Sequence, residues 1–374
     1  APLAEHLSQV AGTTLTAGDM AVAFSLANAV GPLPLLIGGW ITDRFGPRSV
    51  MMAGGILSGL GYWMTGSAQS FTAVLVGYGL LFGIGLGLVY GCTVSNTLKF
   101  FPDHRGFAGG LTTAAYGLSS AVIAPLAAHF IGTLGVADTL RSLGVAIGCV
   151  AVIGGFFSVR CPADFIPEGW TPTKSRFSQG LDADWPQMLK TPVFWSMWAL
   201  LLCGAITGMM ILSHAQSIGM NIMGLSAATA ATGVAFLAFS NTSGRLLAGV
   251  LSDYLGRTRT LALALTSSIA GLTALASASA DTVPLFYAGL AAVGLSLGAF
   301  MGVYPGFTTQ EFGSRHNSVN FALMFMGFSL AGTVGPILMN QLQTAGFSIA
   351  CGAAAVIAAA GFLFIGLYRK QKLN

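Results

Sequence analysis

Long apolar runs alternate with short polar breaks along the whole chain. Most runs exceed about 18 residues, the length at which an apolar helix begins to span a hydrocarbon core roughly 30 Å thick. The pattern therefore predicts an all-α integral membrane protein. Cutting the sequence at its polar breaks gives eleven candidate spans, approximately 17–42, 49–69, 72–98, 107–133, 137–158, 192–219, 225–252, 259–279, 282–307, 317–343 and 346–368.

One polar break is much longer than the others. Residues 159–191 contain four prolines among charged side chains, a composition typical of a loop that joins two compact regions. We therefore expect a first helical bundle at residues 1–158, a central cytoplasmic linker at 159–191 and a second helical bundle at 192–374.

An internal repeat relates the two predicted bundles. Residues 39–48 and 249–258 both read Gly-x-x-x-Asp-x-x-Gly, at an offset of 210. A weaker match at an offset of 212 pairs residues 96–100 with 308–312, and His104 with His316. Two copies in the same orientation predict six spans in each half. We therefore expect a first helix upstream of Ala1 that is absent from this chain; a cleaved signal sequence is the alternative.

Composition and charge strengthen the membrane assignment and orient the chain. Charged residues make up 7% of the sequence, against about 25% in soluble domains, and the mean hydropathy is +0.75. If Arg44 and Arg48 are cytoplasmic, fourteen of the 16 lysines and arginines lie on that side, including the basic C-terminal tail. This asymmetry follows the positive-inside rule. The apolar composition excludes a large soluble enzyme. The spread of basic residues over loop ends gives no support for nucleic-acid binding.

Arg245 is the one lysine or arginine placed well away from the ends of a predicted span. It lies eight residues before Asp253, which is about 12 Å along a helix and close to the middle of the membrane. An arginine at that depth costs about 2.5–3.5 kcal/mol and usually faces a polar cavity or partner. Its planar guanidinium matches a carboxylate. Arg245 is thus predicted to bind a small anion; a structural arginine bonded to helix carbonyls is the alternative.

The motifs carry a family resemblance. The loop at residues 39–48 resembles the signature loop of the major facilitator superfamily, and the copy at 249–258 is its usual weaker form. Leu88-Val89-Tyr90-Gly91, the segment 96–106 and Ala114-Ala115-Tyr116-Gly117-Leu118 resemble the oxalate:formate antiporter and prokaryotic monocarboxylate transporters. The resemblance implies two six-helix bundles that work by alternating access, in a multi-pass protein of the prokaryotic cytoplasmic membrane with a cytoplasmic C-terminus.

Depths estimated along the alternating spans place several further side chains near the membrane middle with Arg245. Asn241 lies one helical turn from Arg245, where it can donate to a substrate oxygen, hold the guanidinium or bond another helix. Tyrosine hydroxyls can bind a carboxylate while phenylalanine rings close an apolar cavity; plain helix packing is the alternative for each. The predicted substrate site comprises Arg245, Asn241, Tyr90, Tyr116, Phe328 and Phe325.

The resemblance also narrows the substrate. The position of Phe328 is a lysine in the oxalate:formate antiporter, which gives that protein two cations for a dicarboxylate. A single guanidinium facing an apolar wall implies a short monocarboxylate such as lactate or pyruvate, because a second carboxylate left unpaired at low dielectric costs several kcal/mol. An oxalate/formate-type exchanger and a non-transporting membrane sensor are the alternatives.

Proton coupling and gating are further expectations. Eukaryotic monocarboxylate transporters have an acid where this chain has Asn241, so H+ symport, implied by the resemblance, needs another carrier: the substrate, the absent first helix or His214. Asp43 is expected to approach the N-terminus of a helix in its own half, with Arg44 and Arg48 in a cytoplasmic-side charge cluster whose loss favours opening inward. Positive-inside anchoring alone is the alternative. Asp253 is the residue equivalent to Asp43 in the second repeat. Tyr304 is expected either to belong to an inner gate or to pack between helices.

Sequence signatures of other classes are absent from the printed chain. It contains no Gly-Lys-Ser/Thr phosphate loop, no His-Glu-x-x-His and no Gly-x-Ser-x-Gly motif. The five cysteines are scattered without the paired spacing of a metal site or disulfide. The expected partners are therefore a small monocarboxylate anion, H+ and the lipid bilayer, with no cofactor, no metal and no enzymatic activity.

Overall fold

Helices form all the regular secondary structure in the described part of the chain, which confirms the predicted all-α class. The computed structural model describes residues 2–11, 15, 17–162, 165–169 and 182–373. A π-helical segment covers Leu75–Phe82, and a 3-10 turn covers Ala280–Thr282. The α-helices are α1 (Pro2–Ala11), α2 (Ala17–Val30), α3 (Pro32–Phe45), α4 (Pro47–Gly66), α5 (Phe71–Val74), α6 (Gly83–Phe100), α7 (Arg105–Phe157), α8 (Trp185–Lys190), α9 (Pro192–Asn221), α10 (Ala227–Leu255), α11 (Arg257–Ala276), α12 (Val283–Phe312), α13 (Asn317–Leu342) and α14 (Phe347–Leu373).

The eleven predicted spans coincide with helices to within a few residues. Nine stretches among the described residues are individually long and apolar enough to cross a membrane. The other two predicted spans correspond to α4 and to the first part of α7. The chain is therefore a multi-pass membrane protein whose helices follow the hydropathy pattern.

Glycine and proline set the boundaries between consecutive helices. Gly135 has φ +79° inside α7, a conformation that glycine adopts without steric cost, so α7 is two helices that meet at this residue. Pro32 follows Gly31 at the start of α3, where a missing N–H leaves no helical hydrogen bond unmade. Gly46 and Gly256 also have positive φ, 94° and 85°, and they separate α3 from α4 and α10 from α11 at equivalent repeat positions.

The described residues divide into two compact units. Unit 1 comprises Ala1–Phe100, Ser120–Phe165 and Arg315–Leu323; unit 2 comprises Phe101–Ser119, Ile166–Ser314 and Met324–Asn374. Each unit therefore takes a short segment from the other half of the sequence. The division into bundles at 1–158 and 192–374 follows the repeat rather than contacts, and it stays a prediction.

Each unit buries its own apolar side chains. In unit 1, α1 packs through Leu7 against Ala23, Ala68 and Val74. In unit 2, α9, α10, α12 and α14 enclose a larger cluster that includes Phe286, Leu290, Leu297 and Cys351. The cysteines of the described chain are free thiols, in keeping with packing roles.

Part of the predicted linker lies outside the described residues, namely 163–164 and 170–181. Its last segment is ordered by α8, because Asp184 and Gln187 form a reciprocal capping box at the N-terminus of that helix. The Ala183 N–H also donates to the Phe312 carbonyl at 3.1 Å. The end of the linker is thereby fixed to the C-terminus of α12.

Candidate functional site

Arg245 lies in the interior of α10 and is oriented by two hydrogen bonds. Its Nε donates to Asn241 Oδ1 at 3.0 Å, one turn earlier on the same helix. Its Nη1 donates to the Thr113 carbonyl of α7 at 2.7 Å. Both acceptors are neutral, so neither bond neutralises the guanidinium. Asn241 is buried, and its amide oxygen fixes the orientation of the Arg245 guanidinium.

Small residues bring three helix backbones close together at Arg245. A Cβ on Gly110 of α7 would lie 2.6 Å from the Arg245 carbonyl oxygen, and one on Gly298 of α12 would lie 2.9 Å from the Arg245 nitrogen. Gly302, one turn after Gly298, meets the Arg245 carbonyl in the same way. Such close approach requires glycine. The α10 backbone at Arg245 is therefore in close contact with both α7 and α12.

The predicted aromatic residues fall in different places. Tyr116 lies in unit 2 with Arg245, three residues after Thr113 on α7. Phe325 and Phe328 stack on each other at a centroid distance of 5.1 Å, and Phe328 also packs against the apolar cluster of unit 2. Tyr90 is buried in unit 1. Contact of these four side chains with a substrate stays a prediction.

Two other candidate residues have structural partners. The Tyr304 hydroxyl donates to the Met197 carbonyl at 2.7 Å, and its ring stacks on Phe300. Tyr304 is almost fully buried, which agrees with its packing alternative. His214 bridges Ser213 Oγ and Asn340 Oδ1, both at 2.7 Å. The Asn340 amide oxygen accepts from His214 Nε2, and in that neutral tautomer Nδ1 accepts from the Ser213 hydroxyl. His214 therefore links α9 to α13.

The first loop acid, Asp43, contacts the N-terminus of α13. Its Oδ1 accepts a hydrogen bond from Ser318 Oγ at 2.7 Å, and its Oδ2 accepts one from the Val319 N–H at 3.4 Å. Lys99 of α6 forms a salt bridge with the same carboxylate at 2.8 Å. The expectation of a helix in the same half was wrong, because α13 begins in the second half of the sequence.

The second loop acid, Asp253, repeats this arrangement on α7. Its two oxygens accept hydrogen bonds from the Gly106 and Phe107 N–H groups, each at 2.8 Å, and Arg257 forms a salt bridge with it at 2.9 Å. Burial, and then the positive charge of Arg257, lower the pKa of the neighbouring Arg105. The Asp253 carboxylate therefore lies between the positive end of a helix and the Arg257 guanidinium.

The expected charge cluster of Arg44 and Arg48 is corrected by the structure. Arg44 lies over the Trp40 ring at 5.6 Å, and Arg48 lies over the Phe156 ring at 4.9 Å, as cation–π contacts. Arg160 instead donates to the Asp43 and Arg44 carbonyls at 3.1 and 3.2 Å. A guanidinium stacks readily on an aromatic face, and Lys99 is nearer the carboxylate.

Several contacts of the candidate residues were not predicted although the sequence contained signals for them. The repeat at an offset of 212 relates Gly106 to Ser318, the two residues whose backbone or side chain meets a loop acid. Glycines recur every four residues at 294, 298 and 302 on α12, a spacing typical of close helix packing. No sequence pattern marked the Thr113 carbonyl as a partner of Arg245, because a residue of any type has a backbone carbonyl group.

The comparisons with known proteins agree with this architecture. The profile of the Major Facilitator Superfamily matches residues 1–336 and, in a second match, 244–372. The chain is 27% identical to the oxalate:formate antiporter of Oxalobacter formigenes over 89% of this chain and 77% of the antiporter. It is 29% identical to monocarboxylate transporter 11 of Mus musculus over 98% of this chain and 81% of that transporter.

An uncharacterized MFS-type transporter of Escherichia coli K12, YhjX, is 27% identical over 83% of this chain and 76% of its own length. Among solved structures, the fucose:proton symporter FucP of E. coli superposes with a TM-score of 0.70 at 15% identity, covering 98% of this chain and 95% of that one. The proton:xylose symporter XylE gives 0.73 at 14% identity, with coverages of 99% and 90%. At these identities the structural likeness shows the fold alone.

Proposed function

The chain belongs to the Major Facilitator Superfamily and is a membrane transporter, and on that premise we propose that it moves a small monocarboxylate together with H+. Lactate and pyruvate represent the substrate class. The proposed setting is the prokaryotic cytoplasmic membrane, with the C-terminus on the cytoplasmic side, as the distribution of lysine and arginine favours. Transport would proceed by alternating access.

The observation that carries the proposal is the position of Arg245. A guanidinium in the interior of a membrane helix is costly unless it has a polar partner or cavity. Asn241 and Thr113 orient it through neutral oxygen atoms, and a guanidinium has five N–H donors. The planar guanidinium, already held in place, matches the geometry of a substrate carboxylate, to which it can form charge-assisted hydrogen bonds.

The apolar surroundings of Phe328 support a single carboxylate. Phe328 stacks on Phe325 and packs against the apolar cluster of unit 2. A ring pair of this kind suits the short alkyl end of lactate or pyruvate. It offers no cation to a second carboxylate, whose burial without a partner costs several kcal/mol.

Position 241 is an asparagine and cannot carry a proton. Two other carriers are the substrate itself and the His214 side chain. The carboxylate can take up the proton and cross as the neutral acid, or the His214 imidazole can bind it. The first route needs no titratable side chain beside Arg245. A His214→Gln variant tests the second route, because proton-driven uptake that survives this change excludes His214 as the carrier.

We further propose that the two loop acids form the gate at the end of the protein assigned to the cytoplasm. Asp43 and Asp253 each cap a helix N-terminus and each pair with a cation. Opening at that end would separate each carboxylate from the helix that it caps. Loss of either acid would therefore favour the open arrangement.

An oxalate/formate-type exchanger is the second candidate, since the antiporter of O. formigenes is similar over 89% of this chain. The test is uptake of labelled lactate, oxalate and formate into proteoliposomes with and without an inward proton gradient. We expect gradient-driven lactate uptake that Arg245→Ala abolishes and Arg141→Ala preserves, because Arg141 pairs with exposed Asp138. Oxalate–formate exchange without lactate uptake would establish the second candidate. No carboxylate transport by a folded protein would favour a sensor.

A further inference from the structure

A cavity opens between the ends of three helices at the basic end of unit 2. It lies where α11 begins and where α12 and α14 end, and its volume is about 430 Å³. Arg245 and the other residues of the proposed substrate site do not line it. The lining residues are Gly256, Arg257, Thr258, Phe307, Gln310, Tyr368, Arg369 and Lys372.

Positive charge exceeds negative charge around this cavity. Arg257, Arg369 and Lys372 contribute three cations. Two carboxylates lie beside them: Asp253 pairs with Arg257 at 2.9 Å, and Glu311 pairs with Lys372 at 2.6 Å. Arg369 is exposed, and its one hydrogen bond within the described chain is a long one, 3.5 Å, to Thr258 Oγ1. Its guanidinium is therefore available to a further acceptor.

The start of α11 adds to the positive potential. Gly256 caps this helix without a side-chain hydrogen bond, so the first-turn N–H groups near Thr258 lack the acceptor that a serine or aspartate would supply. The partial positive charge of a helix N-terminus has the same sign as the three side chains. Neutral donors are also present, since Thr258 supplies a hydroxyl and Gln310 an amide.

In the first repeat, a side chain covers the glycine that is equivalent to Gly256. At Gly46 a Cβ would lie 3.3 Å from the Arg160 side chain, which covers this glycine and donates to the Asp43 and Arg44 carbonyls. At Gly256 nothing lies within 4 Å of the equivalent position. Lys372, which is 212 residues after Arg160, is bonded to Glu311 instead. No described side chain therefore covers Gly256 in the second repeat, whereas Arg160 covers Gly46 at the equivalent place in the first repeat.

We propose that this cavity binds a phosphate group, with Arg369 and Lys372 as its charged ligands and Thr258 as a hydroxyl donor. Basic pockets between membrane helices on the cytoplasmic side suit phosphorylated head groups, and the planar guanidinium binds phosphate through two parallel N–H donors. The phosphate can belong to an anionic phospholipid of the inner leaflet or to a soluble phosphate compound. The proposal does not depend on the identity of the transported substrate.

The test compares binding by the purified full-length chain and three variants. Thermal unfolding is measured in nanodiscs of phosphatidylcholine alone, in nanodiscs containing phosphatidylglycerol, and in phosphatidylcholine nanodiscs with added inorganic phosphate at constant ionic strength. Arg369→Gln removes a proposed ligand, and Thr258→Glu places a carboxylate in the cavity. Lys370→Gln is the matched control, because Lys370 is an exposed neighbour that does not line the cavity.

We expect phosphatidylglycerol to raise the unfolding temperature of the parent chain and of Lys370→Gln. Arg369→Gln should weaken the apparent affinity about five- to tenfold, as loss of one membrane-surface cation predicts, and Thr258→Glu should abolish the effect. The same ranking with inorganic phosphate and no response to phosphatidylglycerol would assign the site to soluble phosphate compounds. Equal responses of the parent chain, Arg369→Gln and Thr258→Glu to both ligands would overturn the proposal. Unfolding in phosphatidylcholine alone establishes that each variant is folded.

Discussion

Asp43 accepts a hydrogen bond from Ser318, a residue 275 positions later in the chain. The loop acid of the second repeat, Asp253, accepts one from Gly106 of the first half. Since Ser318 follows Gly106 by 212 residues, each acid caps the repeat-related copy of the helix that the other acid caps. The two contacts are reciprocal, and this pairing is the physical basis of the proposed gate.

The Asp43–Lys99 pair should be strongly coupled. Both side chains are mostly buried, so removing one leaves the other as an uncompensated charge at a cost of about 3–5 kcal/mol. We expect Asp43→Asn or Lys99→Met alone to lower the free energy of unfolding by about that amount, and the double variant to lose less than the sum. A double-mutant cycle in detergent measures the coupling.

The exposed Asp138–Arg141 pair is the internal control for that cycle. Its side chains are largely solvent-accessible, and exposed pairs contribute about 0–1 kcal/mol. A coupling energy for Asp43–Lys99 no larger than that of Asp138–Arg141 would contradict a structural role for the buried pair.

Replacing Asn241 with aspartate should make carboxylate uptake depend more steeply on pH. At neutral pH the ionised carboxylate would pair with the Arg245 guanidinium and compete with the substrate for it. Charge-assisted hydrogen bonds contribute about 1.5–3 kcal/mol, which predicts at least about tenfold weaker uptake at neutral pH. Acidification protonates the carboxyl and releases Arg245, so uptake relative to the parent should rise as pH falls. Asn241→Gln should keep the parent pH profile.

A methyl group on Gly298 should disturb both stability and transport. The added Cβ would meet the backbone of Asn241 and Arg245, and overpacking of this kind costs about 1–3 kcal/mol. Gly352 in α14 is the matched control, because a Cβ there meets nothing within 4 Å. Gly352→Ala should leave uptake unchanged and raise stability by up to about 1 kcal/mol through helix propensity. Thermal unfolding and lactate uptake measure both effects, and equal behaviour of the two variants would refute the close-packing account.

Phe328→Lys should shift the substrate preference toward a dicarboxylate. If Phe328 lines the proposed substrate site, a second cation there would pair with the second carboxylate of oxalate, and the lost ring would remove apolar contact with lactate. We expect oxalate uptake to appear and lactate uptake to fall. Phe325→Lys, one turn earlier on α13, places the same charge on a neighbouring position. If both variants respond alike, Phe328 does not determine the choice, and size-exclusion profiles establish that both remain folded.

Much of the fold was accessible from the sequence because apolar length and helix breakers determine membrane spans. The eleven predicted segments all coincide with helices, including the two joined at Gly135, where the boundary between the predicted spans falls on a glycine. The cross-chain caps were not accessible. Asp43 was expected to meet a helix of its own half, since a periodicity specifies which face is apolar and not which distant helix approaches it.

The candidate site was predictable in part for a similar reason. Arg245 and Asn241 are one turn apart on one helix, so local geometry already relates them. The Thr113 carbonyl and the glycines at 110 and 298 come from other helices, and their approach depends on tertiary packing. Lys99 was missed because a basic residue at a helix end is explained equally well by the positive-inside rule, and Arg44 because its stacking on Trp40 depends on side-chain orientation.

The reciprocal caps of Asp43 and Asp253 also bear on how such a chain could have arisen. In a pair of identical ancestral chains, one loop acid would have capped the same helix of its sister molecule, and the sister would have returned the contact. That is the geometry of an isologous homodimer with a twofold axis. Gene fusion would then have preserved two copies of a single intermolecular bond, and later divergence at Lys99 and Arg257 would have given each copy its own counter-ion.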